Sequence, residues 1–483
     1  MSSDNLEAVD LTSLNALAAG FNKKAPRIVA AGLGGKLMGT KSLVDVTADQ
    51  MTKDSETLLE KDEREREKYM RTAHISEQPW TLSNWHQHVN WLNVILVILI
   101  PAFGCYSAYH YPPQLKTVLL GALMYLFSGV SITAGYHRLW SHKAYDAAVP
   151  VRLFFAFFGA GAVQGSIKWW GHSHRIHHRF TDTNRDPYDA RQGFWFSHMG
   201  WMLSIANPKN RARADISDLT ADPIVVFQHR HYLLLMVTAA VLFPCLIAGL
   251  FWGDYWGGFI YAGILKFFFI QQATFCVNSL AHWIGVQPFD DRRTPRDHVL
   301  TALVTFGEGY HNFHHEFPSD YRNALKWYQY DPTKVTIWLL SKVGLAWNLK
   351  TFSQNAIEQG LFQQQQKKLN RMKNKLNWGP AVSELPVWDK DHFNEIAKEE
   401  GLIIISGIVH NVKSFIKEHP GGQALVRASL GKDATKAFNG LVYAHSNAAH
   451  NMLATMRVAV IKDGEVNGDT FGLQEEMMAK KDL

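Results

Sequence analysis

The chain has 483 residues, of which 47% are hydrophobic, and a formal net charge of +6 at pH 7. Its mean hydropathy of −0.14 is too low for a chain buried mostly in lipid, so we expect a membrane portion with large aqueous parts. The sequence has no dense block of lysine and arginine that would indicate binding to nucleic acid. Anionic lipid or a phosphorylated substrate is a more natural binding partner for a basic membrane protein. The three cysteines fall in apolar segments, which argues against a disulfide framework and indicates a reducing, cytosolic face.

Residues 1–85 are polar, and the charged run Lys61–Arg71 is interpreted as a solvated helix or as disordered. No basic-then-apolar signal pattern opens the chain, so membrane insertion must use an internal span. Apolar runs near the ~20 residues that cross a bilayer then form two hairpins. These runs are Trp91–Ala108, Leu115–Ala134, Tyr232–Trp252 and Tyr255–Ala281, with a turn at Gly253–Asp254. Buried helices of a soluble protein are the alternative, which two such hairpins disfavour.

A fifth apolar run, Val149–Ile167, has an uninterrupted core of only 11 residues, Leu153–Val163. Runs of that length are more often interfacial or re-entrant than spanning. If this run does not cross, every histidine-rich stretch and both termini share one face of the membrane. The arginine-rich loop Lys168–Arg230 then predicts that this face is cytosolic.

The C-terminal part contains a polar stretch, Gln354–Lys375, followed by Pro380 and Pro386. We predict a polar helical linker there rather than a core element. Val387–Ile461 regains alternating apolar runs and turns, which indicates a separate soluble domain before an unstructured tail. The predicted segments are 1–85, a polar N-terminal segment; 86–350, a four-span domain; 351–386, a linker; 387–462, a small domain; and 463–483, a tail.

Three stretches concentrate histidine. His174, His177 and His178 lie three and four residues apart and share one helical face, whereas His172 projects elsewhere. His311, His314 and His315 repeat this spacing. His137 and His142 are five apart, so a distorted helix end is needed to bring them together. His282, with Asn278 one turn earlier, is a ninth candidate.

Imidazole suits iron, zinc and copper, and one zinc ion needs only four ligands, so eight or nine clustered imidazoles imply two metals. Ferritin-like sites use paired Glu-x-x-His motifs, and this chain has only Glu308-x-x-His311. An all-imidazole dinuclear site at a membrane surface is therefore the hypothesis. The scattered histidines are interpreted as surface or membrane-interface residues; they are His86, His88, His110, His229 and His231.

The motifs HRLWSH at His137–His142, HRIHH at His174–His178, NSLAH at Asn278–His282 and GEGYHNFHHEFP at Gly307–Pro318 closely resemble the membrane acyl-CoA delta-9 desaturases. The resemblance covers about residues 80–350. It implies a mostly α-helical, four-span domain with a cytosolic helical cap, in which nine catalytic histidines hold two irons and an asparagine joins through water. The matching residues are His137, His142, His174, His177, His178, His282, His311, His314 and His315, with Asn278.

The resemblance implies that di-iron activates dioxygen and removes two hydrogens from unactivated methylenes of palmitoyl- or stearoyl-CoA in a kinked tunnel. Matching positions at the kink are Gln164, Trp170 and Thr274. Tyr125 and Gly129, one turn apart, are expected at the tunnel end, where they would help to set chain length; ordinary helix packing is the equal alternative.

This chain departs from the animal members at several polar positions. His172-Ser173 replaces an Arg-Asp pair, and His172 is therefore predicted on the substrate side. Gly165 replaces an asparagine at the acyl carbonyl, and Ile205-Ala206 replaces an Arg-Lys pair at the CoA phosphates. Lys209, Arg211 and Arg213 are the candidates for those phosphates. The fungal branch is the closer match.

The C-terminal domain resembles cytochrome b5, a small α+β fold. His419, in EHPGG, and His445, in YAHSNAAH, match the two axial ligands of one haem b, and His450 is a weaker rival to His445. The expected apolar lining is Ile403–Ile405, Phe415, Leu425 and Phe438, and His410-Asn411 replaces the usual Tyr-Asp. Such a haem transfers electrons rather than activating oxygen.

A tethered haem domain raises the effective concentration of the electron donor. No Gly-x-Gly-x-x-Gly motif is found, so we expect NADH-cytochrome b5 reductase to supply the electrons, at the endoplasmic reticulum membrane with both termini cytosolic. A lipid hydroxylase or a desaturase of other regiochemistry is the nearest alternative. A non-enzymatic membrane electron-transfer protein is the alternative from another class.

Overall fold

The computed structural model describes Arg64, Tyr69, residues 72–440 and residues 444–464. Most of the predicted polar N-terminal segment, nearly all of the charged run Lys61–Arg71 and almost the whole predicted tail lie outside these residues. The chain divides into two compact units, Met1–Pro79 and Trp80–Leu483. In the first unit the described part contains the short 3-10 helix Ile75–Glu77.

Four long helices in the second unit are long and apolar enough to cross a membrane, which confirms the predicted spans. In chain order, spans 1 to 4 are Trp91–His110, Leu115–Ser141, Tyr232–Trp252 and Tyr255–Trp283. Gly253, in the left-handed conformation at φ 76°, ends span 3, and the Asp254 carboxylate accepts from the Gly257 N–H to begin span 4. Each span contains a π-helical stretch; these are Ile95–Leu99, Ser131–Ser141, Thr238–Leu242 and Gly258–Leu265.

The run predicted to stay out of the bilayer forms a helix of only 12 residues, Val149–Ala160, here named the short apolar helix. A turn then leads to Ile167–Phe180, here named the histidine helix. Both pack on span 2 through an apolar cluster that includes Tyr136, Trp140 and Phe155. Smaller helices complete this part: Trp85–Gln87, Ala190–Gln192, Phe196–Gly200, Trp201–Leu203, Pro208–Asn210, Ser217–Ala221, Pro223–Arg230, Val299–Val304, His311–Glu316 and Pro332–Lys342.

Two short strands close this part, β1 (Asp146–Ala147) and β2 (Ala346–Trp347), which pair antiparallel. The following helix, Gln354–Lys373, differs from the predicted linker. Its Ile357 is only 2% exposed and packs with Phe289 and Phe317 in an apolar cluster. The glutamine-rich composition hid this apolar contact, so the first turns of the helix belong to the core after all.

The small C-terminal domain is α+β, as predicted. Its sheet has the order β3–β6–β5–β4, formed by Val387–Trp388 (β3), Leu402–Ile405 (β4), Ile408–Asn411 (β5) and Arg457–Ile461 (β6). Its helices are Val382–Glu384, just before β3, and Lys390–Glu400, Gln423–Ser429, Thr435–Phe438 and Asn447–Ala454. Apolar clusters pack on both sheet faces.

Candidate metal centre

The C-terminal end of span 2 brings together its two histidines, which are five residues apart. Ser131–Ser141 is π-helical, and the His142 N–H donates to the His137 carbonyl across five residues at 3.1 Å. In this geometry residues five apart face the same way. The two rings consequently meet with their centroids 4.8 Å apart. The predicted distortion is thus a π-helix.

The histidine helix presents three imidazoles to the same place. Ser166 caps its start by accepting from the Trp169 N–H. Arg175, between the histidines in sequence, points elsewhere and donates to both carboxylate oxygens of Asp218 at 2.7 Å. This bidentate pair fixes the rotation of the helix about its axis. His172 belongs to neither histidine group.

Nine imidazoles, all buried or half-buried, assemble from these elements, the end of span 4 and the helix His311–Glu316. They form two groups in which the candidate ligand atoms of each group lie within 4.8 Å of one another. The first group contains His137, His142, His174, His178 and His314, and the second contains His177, His282, His311 and His315. These are the nine predicted histidines. His88, predicted at the surface, is instead buried and stacks on Trp80, because the indole covers it; it is in neither group.

The inward-facing nitrogens fit metal ions. The Nε2 atom of His314 lies 3.0 Å from the Nε2 atoms of both His137 and His178. Likewise, the Nε2 atom of His315 lies 3.2 Å from that of His177 and 3.1 Å from that of His311. Two ligands about 2.0–2.1 Å from one ion, at a right angle, are about 3 Å apart. The Nε2 atom of His314 or His315 has at most one hydrogen, which cannot serve both of its short contacts. One cation can bind all three nitrogens of such a set.

The contacts of the outward-facing Nδ1 atoms indicate which ring nitrogen carries the hydrogen. His177 Nδ1 donates to the Asp186 carboxylate at 2.9 Å, and His137 Nδ1 lies 2.9 Å from Glu308 Oε2. A carboxylate only accepts, so Nδ1 of His177 holds the proton and its Nε2 keeps a lone pair for a metal. The contact of His137 Nδ1 with Glu308 is an ion-pair contact without hydrogen-bond geometry. Buried Arg138 donates to Glu308 at 2.9 Å. Burial opposes ionisation of Glu308, but Arg138 and His137 lower its pKa to about 2.

A relay of two residues, Asp182 and Thr294, orients His282. The Thr294 hydroxyl donates to Asp182 Oδ1 at 2.6 Å, so its oxygen accepts from His282 Nδ1 at 2.7 Å. The Nε2 atom of His282 is buried and has no hydrogen-bond partner among residues 72–440 and 444–464. A metal ion would satisfy this orphaned nitrogen.

The electrostatics keep the rings outside the spans in the form that binds metal. Burial, reinforced by neighbouring imidazoles, lowers the pKa of five of these histidines well below 6.5; they are His142, His174, His178, His314 and His315. Burial and His177 lower the pKa of His311 to about 3. These rings are therefore neutral at pH 7, as metal coordination requires.

Thr294→Val should weaken metal retention about 10- to 100-fold, because the relay from Asp182 no longer orients His282. The measurement is bound metal during titration with a chelator. Thr220→Val, which removes an exposed hydroxyl bonded to the Ser217 carbonyl, is the matched control. Unchanged metal retention in Thr294→Val would contradict the relay.

A cavity adjoins the cluster between spans 2 and 4 and the histidine helix. Its lining includes four residues predicted for the substrate, Gln164, Trp170, Thr274 and Gly129, and also Asn278. Gln164 Nε2 donates to Thr274 Oγ1 at 2.8 Å. The lining includes neither His172 nor Tyr125, although Tyr125 contacts the lining residue Phe306 with ring centroids 5.2 Å apart. Their substrate roles stay predictions.

The loop predicted to meet the CoA phosphates lies at the surface. Lys209, Arg211 and Arg213 are exposed there, as are Ile205 and Ala206. No acidic side chain pairs with Arg211 or Arg213 in the part of the chain that the structure describes, whereas the neighbouring Asp215 carboxylate accepts from Ser217. Their role toward phosphate stays a prediction.

The C-terminal domain holds a second site. The ring centroids of His419 and His445 are 6.3 Å apart, which leaves room for an ion about 2.0–2.1 Å from each nitrogen. His419 Nδ1 donates to the Gly422 carbonyl at 3.1 Å and His445 Nδ1 to the Phe438 carbonyl at 2.9 Å, so both present Nε2. His450 contacts Phe438 at its edge instead.

Phe438 stacks on His445 with centroids 4.2 Å apart, and Phe415 lies edge-on to His419. Ile403 and Ile405 join the apolar cluster of Phe438. Ile404, predicted beside them, packs on the opposite face with Phe393, because side chains alternate along a strand. Leu425 is 54% exposed on its helix. The site therefore fits a flat ligand with two axial imidazoles.

Sequence reasoning missed most residues that orient the histidines. Asp186, Asp182, Thr294 and Arg138 were not predicted, and Glu308 was noted only as half of a ferritin-like motif. Asp186 follows the HRIHH motif by eight residues in a loop, which offers a weak signal. Thr294 carries none, because only the folded loop brings it to His282.

Known proteins agree with this arrangement. The family described as fatty acid desaturase matches residues 114–348, and the cytochrome b5-like heme/steroid binding domain matches residues 390–462. Fold and site thus define a membrane fatty acid desaturase joined to a cytochrome b5-like domain.

The chain is 62% identical to acyl-CoA desaturase 1 of Saccharomyces cerevisiae, over 96% of this chain and 92% of that protein. It is 39% identical to delta(9)-fatty-acid desaturase fat-6 of Caenorhabditis elegans, over 55% of this chain and 80% of that protein. It is 37% identical to stearoyl-CoA desaturase of Homo sapiens, over 55% and 76% respectively. The chain belongs to the acyl-CoA desaturase family.

Proposed function

We propose that this membrane enzyme inserts a cis double bond at the delta-9 position of saturated acyl-CoA, with palmitoyl- and stearoyl-CoA as substrates. The observation that carries the proposal is the convergence of nine imidazoles in two groups beside a mainly apolar cavity. The relatives named above are acyl-CoA, stearoyl-CoA and delta(9) fatty acid desaturases, which supports the same reaction.

The nine histidines would hold two irons, and Asn278, on the cavity wall, would join through water. Iron bound there would supply the oxygen-activating redox chemistry that removal of hydrogen from an inert methylene demands, and that no side-chain acid or base provides. The Asp186 carboxylate holds the proton on Nδ1 of His177 and so keeps that ligand aligned, and the Glu308 carboxylate lies beside Nδ1 of His137.

The cavity wall positions the acyl chain beside the cluster. Trp170 lines the cavity and stacks on His174 with ring centroids 4.8 Å apart, so a chain against this indole passes next to the first histidine group. Trp201 also lines the cavity, and its Nε1–H is buried without a hydrogen-bond partner among the described residues. A thioester carbonyl is an acceptor for that donor, in place of the asparagine that Gly165 replaces.

The electron balance assigns a role to the haem domain. Loss of two hydrogens from the acyl chain with reduction of one dioxygen to two waters takes two more electrons and two protons. His419 and His445 would hold haem b, which passes those electrons on. We propose NADH-cytochrome b5 reductase as their source and the endoplasmic reticulum membrane, with both termini cytosolic, as the location; the arginine-rich loop Lys168–Arg230 supports that orientation.

The test is to express the full chain and give microsomes NADH, oxygen and a panel of saturated acyl-CoAs, then locate the double bond by mass spectrometry. We expect NADH- and oxygen-dependent delta-9 products. Hydroxylated products or another double-bond position would reassign the reaction. No oxygen-dependent product, with haem reduction intact, would leave an electron-transfer protein and overturn the proposal.

Gly129→Ala should shift substrate preference toward shorter chains. A Cβ atom at Gly129 would lie 2.7 and 2.8 Å from two ring atoms of Phe306, so the ring must move into the cavity. We expect the ratio of stearoyl- to palmitoyl-CoA turnover to fall about tenfold. This change lies within the range of substrate discrimination that one or two methylene groups produce in an apolar pocket. Leu126→Ala, on the exposed side of the same span, should leave the ratio unchanged.

A further inference from the structure

Span 4 carries one lysine at its centre. Lys266 is the only Asp, Glu, Lys or Arg residue between Tyr255 and Trp283. It does not face lipid, since only 3% of the residue is exposed. Ionisable residues inside membrane segments are costly and are retained where they serve a site. The metal centre does not use Lys266, so its role needs another explanation.

The partner of Lys266 is the end of the short apolar helix. Its Nζ donates to the Gly161 carbonyl at 2.8 Å, and Gly161 is the residue that caps Val149–Ala160. The last carbonyls of a helix have no partner within it, and an amine N–H satisfies one of them here. No carboxylate pairs with Lys266 in the described ranges. The amino group therefore ties this helix end to span 4.

The turn that follows is strained and is held by span 4 a second time. Val163 has φ 57°, a left-handed conformation that β-branched residues rarely adopt. Gln271 Nε2 donates to the Val163 carbonyl at 3.0 Å. Two side chains of span 4 thus hold the backbone on either side of the strained residue.

The same turn forms part of the cavity wall. Val163 and Gln164 line the cavity, and Gln164 reaches span 4 through Thr274. If Val163 relaxed to a right-handed or extended conformation, the following backbone would turn and Gln164 would leave Thr274. The wall would then move along the acyl chain relative to the histidines.

We propose that Lys266 and Gln271 are positioning residues that hold the Gly161–Gln164 turn in its strained form and so fix which methylenes of the acyl chain meet the metal centre. This inference rests on the proposed delta-9 activity. It assigns regioselectivity to a polar brace outside the cluster of imidazoles. Lys266 acts only through the turn, whereas Gln271 also lines the cavity itself.

The experiment compares Lys266→Met and Gln271→Met, which keep the side-chain length but remove the donor, in full-length enzyme in microsomes. The readout is the distribution of double-bond positions with stearoyl-CoA. We expect the fraction of products outside position 9 to rise at least about fivefold in both variants. Lys116→Met, which removes an exposed lysine at the start of span 2, should keep the wild-type distribution.

Val163→Gly provides a rescue, since glycine adopts the left-handed conformation without strain. In the Lys266→Met background it should restore the distribution toward that of the Val163→Gly enzyme. Equal loss of all products, with their distribution unchanged in both Met variants, would overturn the brace. If Lys266→Met yields no protein, Lys266→Leu takes its place, because Gln271 lines the cavity and its variant also changes the wall directly. A wild-type enzyme without delta-9 product would instead overturn the proposed function.

Discussion

His177→Ala abolishes desaturation and leaves the haem spectrum intact; this is the expected result with the largest effect. His177 belongs to the second histidine group, and its ring is held between Asp186 on Nδ1 and the group on Nε2. Alanine leaves three imidazoles for that group, and the buried Asp186 carboxylate keeps only its bonds from the Asp182 and Tyr188 N–H groups. Non-haem iron should fall to at most one ion per chain, as measured by elemental analysis after subtraction of the haem iron, beside the activity assay.

His231→Ala is the control for this substitution, because His231 is exposed and its only ring contact in the described residues is with Phe227. It should keep both iron and activity. Desaturation that persists in His177→Ala would contradict the assignment of the histidine cluster as the catalytic site. Lost haem absorption in the same variant would indicate misfolding instead, and the assignment would then be tested with His315→Ala, whose side chain is half-buried.

His419→Ala has the opposite pattern. It should remove haem absorption and NADH-dependent activity while iron in the desaturase domain stays at the wild-type level. The physical reason is that His419 and His445 face each other with Nδ1 of each ring engaged by a backbone carbonyl, so one ring alone cannot hold an axial pair. Adding separate cytochrome b5 should recover the activity.

His450→Ala separates the two candidates for the second axial ligand. His450 meets Phe438 at a ring edge and does not face His419, so its loss should leave haem binding intact, whereas His445→Ala should abolish it.

For the His419→Ala variant, recovery of activity by separate cytochrome b5 is the informative step. Full activity of His419→Ala without that addition would contradict electron entry through the fused domain.

The metal centre was largely predictable because its ligands obey helical spacing. His174, His177 and His178 share one face in any α-helix, and the repeat at His311, His314 and His315 follows the same rule. His137 and His142 needed the π-helix, which spacing alone only suggested. Four spans were predictable from length and apolar composition, and the short apolar helix from its 11-residue core.

What orients the ligands was not predictable, because it depends on contacts between segments far apart in sequence. Thr294 reaches His282 from a loop. Arg138 pairs with Glu308 and Asp331, which lie 170 and 193 residues further along the chain. Ile357 shows a second limit. A single apolar stripe in a glutamine-rich helix is hidden by average composition, and only the cluster around Phe289 gives it a partner.

The anchoring of the helix Gln354–Lys373 has a consequence for electron delivery. Lys367 Nζ bonds Asp291 at 2.5 Å and Arg371 bonds the same carboxylate, so the far end of this helix is fastened to the desaturase. On the other side of the connection, the Pro380 carbonyl accepts from Arg457, in β6 of the haem domain, at 3.3 Å. Only the few residues between these anchors remain as a pivot.

The eight residues between Arg371 and Pro380 reach at most about 26–29 Å when fully extended. The connection therefore limits how far the C-terminal domain can lie from Asp291. The neighbouring residues Asp290, Arg292 and His315 line one polar pocket, so the pivot stands at the rim of the second histidine group. Haem held by His419 and His445 would then stay near the second histidine group, and one tethered carrier would supply both electrons of a turnover.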